Sequence, residues 1–172
     1  MQRNNIILTG FMGTGKTTVG KLLAIQLGYE FIDTDALIQE RQGRSIPQIF
    51  LESGEPAFRH MEADLAKELA QCEGLVISTG GRMMLDSANV AALSRRGWIF
   101  CLTATPEEIL RRLQDDTMHP RPLLAGPNPG ERIVELLQER ERGYRRFPQV
   151  MTNGREPREL AAILLDLIHK DS

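Results

Sequence analysis

The residues with the densest chemical meaning are Gly10 to Thr17, "GFMGTGKT", which fit G-x-x-x-x-G-K-[ST] at every position. Glycines let the backbone curl until successive N–H groups point inward at phosphate oxygens. A helix opening directly behind the turn adds the partial positive charge of its N-terminus. Lys16 is placed to bridge the β- and γ-phosphates, and Thr17 offers a hydroxyl to Mg²⁺. Gly13, Thr14, Gly15 and Thr18 complete the candidate nucleotide-binding set. The motif follows the strand-like "NIILTG" (5–10) and opens a helical pattern over 16–28. That context points to an ATP- or GTP-binding loop.

A phosphate loop needs partners. Many such proteins place an Asp at the end of an apolar strand to hold Mg²⁺, but "LVIS" and "WIFCL" end without one. The acids stand instead in "FIDTD", as Asp33 and Asp35. In an extended segment, positions i and i+2 point the same way, so both carboxylates can face one site. Asp33 is assigned to the metal through water, since Mg²⁺ takes one or two carboxylates and keeps several waters. Asp35 then accepts hydrogen bonds from a substrate hydroxyl. The competing reading of the pair is a helix N-terminal cap. In "FRHMEADL", Arg59 and Glu62 are three apart and share a helix face, so the Glu can aim the guanidinium at a carboxylate. Arg121, in the Pro/Gly-rich "TMHPRPLLAG", suits a mobile lid that excludes water and neutralises charge over the phosphates. His60, His119 and His169 read as surface residues. The Arg-rich "QERERGYRRF" (138–147) reads as a solvated helix face in which pattern alone singles out no residue.

These residues need elements to position them. Strand-like runs at 5–10, 30–35, 74–79, 98–104 and, weakly, 149–152 alternate with helical patterns near 16–28, 36–53, 56–72, 86–95, 105–113, 131–146 and 157–169. Alternation of this kind predicts an α/β fold, a five-stranded parallel sheet covered by helices on both faces. Thr105 as N-cap and Pro106 at the first position open one of the helices. Residues 114–130 hold four prolines and two glycines and form the expected lid; residues 33–62 form the expected acceptor-binding region.

The totals narrow the class. A chain of 172 residues, 41% hydrophobic and 26% charged, suits one domain with a real core. A net charge of −2 gives no reason to expect nucleic acid or an anionic membrane as partner. Cys72 and Cys101 are far apart in apolar contexts and read as buried free thiols. The first strand-like run begins about five residues after Met1, leaving no room for a signal peptide. We therefore expect a cytoplasmic protein. With no long apolar stripe left over, it is expected to be a monomer.

Taken together, "GFMGTGKTTVGKLLA", "FIDTD", "GRSIPQIF", "GEPAFRHME", "STGG", "RPLLAG" and "ER…Y" near 139–144 resemble the shikimate kinase family, of the nucleoside-monophosphate-kinase-like P-loop fold. The resemblance spans about residues 5 to 168. It implies a three-layer sandwich with a mobile lid, ATP as phosphoryl donor with Mg²⁺, and shikimate as acceptor. By that resemblance Lys16, Asp35 and Arg121 carry the chemistry, and Thr17 and Asp33 serve the metal. Arg59 and Arg140 clamp the substrate carboxylate, which picks Arg140 out of its basic run. Gly80 and Gly81 bring backbone against the ring. Arg111 stacks on the adenine, and Arg155 and Pro157 complete its pocket.

At one position the pattern departs. The family has three glycines where this chain reads "GGR", so Arg82 replaces the third; Arg142 also stands where relatives often have Pro. Three readings of Arg82 are open. Its side chain points out of a pocket that still takes shikimate. Or its guanidinium enters the acceptor pocket and selects a different hydroxy acid or sugar acid. Or the turn is distorted and transfer is lost, leaving an ATP-binding regulatory module. The last applies if the turn requires φ > 0, where a non-glycine costs about 1–2 kcal/mol.

Overall fold

The computed structural model describes residues 4–115 and 126–170. Five strands form one parallel sheet in the order β2-β3-β1-β4-β5. These are β1 (Asn5–Thr9), β2 (Glu30–Asp33), β3 (Leu75–Ser78), β4 (Gly97–Thr103) and β5 (Gln149–Met151). β1 is central and buried along its whole length, as a continuous apolar run in a doubly covered sheet must be. Helices α1 (Lys16–Leu27) and α7 (Pro157–Lys170) cover one face and pack on each other. That layer encloses Leu8, Val19, Leu23, Val76, Leu102 and Leu164. On the other face lie α2 (Thr34–Gln42), α3 (Ile46–Leu69), α4 (Ser87–Leu93), α5 (Pro106–Asp115) and α6 (Pro129–Tyr144). Their core contains Ile7, Phe11, Ile77, Met83, Met84, Ile109 and Ile133. The result is the three-layer α/β sandwich expected from the alternation of strands and helices.

Three boundaries differ from expectation. One helix was expected over 36–53. The chain instead stops at Gly43, whose φ of 60° caps α2, and restarts at Ser45. There the Ser45 and Gln48 side chains cap each other's backbone, a reciprocal capping box. The expected break near residue 54 is a kink inside α3, where Gly54 has φ 81° and ψ 163° and Pro56 follows. The kink re-aims the segment carrying Glu55, Arg59 and Glu62. β2 also ends earlier than 35: Asp33 is the N-cap of α2, and Asp35 stands in its first turn. Cys101 is buried as expected, but Cys72 is exposed, because it lies just past the end of α3 where the chain turns over the surface.

Sheet order determines what meets what. β3 lies between β1 and β2, so the turn after β3 is set between the phosphate loop after β1 and the acids after β2. All three connections leave the carboxyl ends of parallel strands, where open α/β sheets build their ligand sites.

Candidate active site

The phosphate loop runs from Gly10 to the start of α1. Gly10, Gly13 and Gly15 hold φ of 130°, 76° and 93°, a conformation that side chains rarely adopt. Gly15 is the N-cap of α1 without any side-chain cap, so the helix N-terminus opens directly onto the loop. The Thr14 hydroxyl donates to the Phe11 carbonyl at 2.7 Å and is buried, which holds the loop's curl. Lys16 Nζ donates to the carbonyls of Gly10 and Phe11, at 2.9 Å each, lying across the loop it serves. Thr17 and Thr18 are exposed at its mouth.

Thr17 Oγ1 donates to Asp33 Oδ2 at 3.1 Å. Asp33 Oδ1 accepts from the backbone N–H of Asp35 and Ala36 at 3.2 Å each. One oxygen caps α2, the competing reading of this acid, and the other accepts from Thr17 at the phosphate loop. A hydroxyl and a carboxylate side by side are hard oxygen donors, a set that fits Mg²⁺. The i, i+2 argument for Asp35 does not hold, because the chain is already helical there. Asp35 reaches the site by another route. A Cβ built on Gly80 would collide with Asp35 Oδ1 and come within 3.1 Å of Glu62 Oε1.

Gly80 and Gly81 are thus glycines for room, not for dihedral angle; neither has positive φ. A Cβ on Gly81 would stand 3.0 Å from a terminal nitrogen of Arg140. The turn is pinned on three sides. Thr79 N–H donates to the Leu8 carbonyl at 3.0 Å, and Gly80 N–H to Thr34 Oγ1 at 3.0 Å. Tyr144 donates its hydroxyl to the Gly81 carbonyl at 2.5 Å. Burial holds the Tyr144 phenol up at about 12, so it stays a neutral donor. Farther along, Arg146 donates to the carbonyls of Met84 and Leu85 at 2.9 and 3.2 Å. The end of α6 therefore staples the turn from beneath.

Two arginines converge on it. Arg140, on α6, is 5% exposed with its guanidinium 5.2 Å from the Phe11 ring centroid. Arg59 donates to Glu62 Oε2 at 2.6 Å, the i, i+3 pair expected from sequence. It also donates to Glu55 Oε1 through Nε at 3.1 Å and NH2 at 2.8 Å. Its guanidinium rests 5.2 Å from the ring of Phe58 and 6.0 Å from that of Phe50. Glu62 is 1% exposed, and its Oε1 has no hydrogen-bond partner among the described residues. Burial, with the nearby charge of Asp35, pushes its carboxyl above the usual glutamate range against the pull of Arg59.

Arg82 has φ −112° and ψ −13°, so the turn asks nothing of it that only glycine supplies. Its half-exposed side chain lines a cavity of about 480 Å³ with Glu55, Pro56, Arg59, Leu85 and Asp86. The strain on which a distorted turn depended is absent.

On the nucleotide side, Arg111 is 61% exposed and ion-paired with Glu108 at 2.8 Å and Asp115 at 3.1 Å. It is Arg112 that reaches the phosphate loop, donating to the Gly13 carbonyl at 3.2 Å and to Thr152 Oγ1 at 2.9 Å. Of the "RR" pair, Arg112 braces the phosphate loop from α5, while Arg111 stays on the exposed face of that helix. Thr152, Arg155 and Pro157 belong to one connection, β5 to α7; Arg155 donates to the Met151 carbonyl at 3.1 Å and is otherwise exposed. Glu55 beside Arg59, Tyr144 on the Gly81 carbonyl and Arg112 behind the phosphate loop are neighbours to which sequence reasoning gave no role. Glu55 had a legible signal, four residues before Arg59. His60 and His169 are exposed, as expected. Arg121 and His119 lie outside the described residues.

A parallel sheet with a Gly-x-x-x-x-Gly-Lys-Thr loop at its central strand and an acceptor pocket beside it defines a P-loop small-molecule kinase. The sequence model of the shikimate kinase family matches residues 12–169. The chain belongs to the shikimate kinase family. It is 47% identical over 140 residues to the shikimate kinase of Geobacter metallireducens, covering 81% of this chain and 77% of that one. The shikimate kinase of Thermodesulfovibrio yellowstonii is 44% identical over 158 residues, 91% of this chain and 90% of that one. Among solved structures, shikimate kinase from Acinetobacter baumannii in complex with shikimate superposes with a TM-score of 0.90 at 38% identity, covering 99% of this chain and 95% of that one.

Proposed function

We propose that this chain transfers the γ-phosphoryl group of ATP to a hydroxyl of shikimate, giving shikimate 3-phosphate and ADP in aromatic amino-acid biosynthesis. One observation carries the assignment of roles. The Gly80–Gly81 turn brings Asp35, Glu62 and Arg140 to one point beside the phosphate loop. Asp35 accepts a hydrogen bond from the attacking hydroxyl and orients its oxygen toward the γ-phosphorus. As that O–P bond forms, the bond to the ADP oxygen breaks and the hydroxyl proton passes to the Asp35 carboxylate. Arg59, aimed by Glu62, and Arg140 hold the acceptor carboxylate. Lys16 and the loop N–H groups neutralise phosphate charge, as phosphoryl transfer needs positioning and electrostatics more than a strong base. Mg²⁺, when bound, neutralises further phosphate charge, and Thr17 and Asp33 are the residues to hold it. Arg111, Arg155 and Pro157 are assigned from the sequence to the adenine side, and Arg112 braces the phosphate loop beside them. Arg121 is assigned from the sequence to close over the phosphates.

The protein works as one domain on a small-molecule acceptor, in the cytoplasm, as a monomer without nucleic-acid or membrane partners. A net charge of −2 gives no reason to expect nucleic acid or an anionic membrane as partner, and among the described residues no helix is long and apolar enough to cross a membrane. The test is ADP release with ATP and Mg²⁺, with and without shikimate. Release that depends on shikimate is expected; equal release in both arms overturns the assignment.

A further inference from the structure

Arg82 is absent from the mechanism above, although it lines the same cavity as Arg59. Between the two lies Glu55. A single oxygen, Glu55 Oε1, accepts from Arg59 Nε at 3.1 Å and NH2 at 2.8 Å and stands 3.6 Å from Arg82 NH1. The two Arg59 nitrogens facing Glu55 are the fork that a planar carboxylate would take. NH1 is already committed to Glu62 at 2.6 Å. Glu55 is therefore an internal carboxylate in the place of the acceptor's. It is firmly ionised: the hydrogen bond from Arg59, with the charges of Arg59, Arg82 and Arg140, holds it below the usual range. An acceptor carboxylate must displace it or share the fork.

We propose that Arg82 is a specificity-determining residue that receives Glu55 when the acceptor carboxylate takes the Arg59 fork. Arg59 is held in place by Glu62 and by the rings of Phe50 and Phe58. Glu55, with half its side chain exposed, is the partner able to move. The Glu55–Arg82 separation of 3.6 Å lies beyond ordinary charged hydrogen-bond length, so a small swing of Glu55 closes one pair as it opens the other. A glycine at position 82 offers no second station, and Glu55 would go to solvent. Arg82 thus lowers the cost of admitting a carboxylate-bearing acceptor without touching it, and the gain is confined to acceptors that carry that charge.

This rests on Arg59 binding the acceptor carboxylate, so the experiment tests both. Shikimate binding is titrated by calorimetry, and its KM measured at saturating ATP, for R82G, E55Q, the double variant and R59K. R82G should weaken shikimate binding and raise its KM about three- to tenfold, with a smaller change in kcat and in the KM for ATP. Added to E55Q, R82G should change shikimate KM less than twofold, since no displaced charge needs a station. Equal penalties in the two backgrounds would mean that Arg82 meets the acceptor directly and overturn the relay. So would wild-type binding by R82G while R59K is impaired. Wild-type binding by R59K would instead overturn the carboxylate clamp itself. Should R82G fold poorly, R82Q removes the charge while keeping a polar side chain at this position and carries the same expectations.

Discussion

The phosphate half of the site is eight consecutive residues, Gly10 to Thr17, whereas the acceptor half draws on four separate segments. The first is built on local backbone: glycines at positive φ and a helix N-terminus, with Lys16 and Thr17 at its start. The second works through side chains, set around Asp35, Glu55–Glu62, the Gly80–Arg82 turn and Arg140–Tyr144. A backbone device tolerates change around it, because its geometry is encoded locally. A side-chain device depends on every element that brings its parts together. Substitutions in the two halves should therefore leave different kinetic signatures.

The largest effect is expected at Lys16. Lys16→Ala should lower kcat about 10³-fold, as charge-stabilising groups in phosphoryl transfer are worth that much. Acceptor binding measured without nucleotide should stay close to wild type. A comparable loss of acceptor binding would break the division into halves. Arg140→Ala should raise the shikimate KM about 100-fold or abolish turnover, because a charge-assisted pair is lost from a buried setting. ATP affinity, titrated separately, should be near wild type. Gly80→Ala should reduce kcat on the order of 10- to 100-fold with ATP affinity retained, since a Cβ there displaces Asp35 and about 1 Å of misplacement is that costly.

Glu62 sharpens the comparison through pH. Its carboxyl is raised by burial, yet it must be ionised to aim Arg59. As pH falls through that raised value, Glu62 takes up a proton and the shikimate KM should rise, above the pH range of an ordinary glutamate. Linkage works the other way for the fold. A raised native pKa means the folded chain binds the proton more tightly, so this group's stabilisation is present at low pH and lost as pH rises. Acid should thus weaken the acceptor site while Glu62's own contribution to stability rises. In Glu62→Gln, neutral like the protonated acid, the shikimate KM should be raised throughout and this acid limb lost. The smallest effect is expected at Tyr144. Tyr144→Phe removes one hydrogen bond to Gly81, worth about 1 kcal/mol. The shikimate KM should rise about fivefold and Tm fall by roughly 2–4 °C. A lower Tm with unchanged KM would make the staple structural only.

Much of this was legible in the residues alone. The loop motif, the strand–helix alternation, the Arg59–Glu62 pair and the absence of an acid after the third and fourth strands are local patterns, and local patterns survive in a one-dimensional reading. Asp35 was reached by an argument that failed, because the strand ends one residue before Thr34 and a cap won over extension. That Arg112 braces the phosphate loop while Arg111 stays exposed depends on helical phase, which two adjacent arginines do not reveal.

By itself the sequence determined the phosphate loop and the alternation that makes a parallel sheet, since glycine dihedrals and strand burial depend on near neighbours. Only the tertiary structure decided that β3 lies between β1 and β2, which sets the Gly80–Gly81 turn between loop and acids. It alone showed that those glycines are kept small by Asp35, Glu62 and Arg140, and that Arg82 shares Glu55 with Arg59. Such facts depend on atoms far apart in the chain, and no spacing rule along a sequence carries the distance between them.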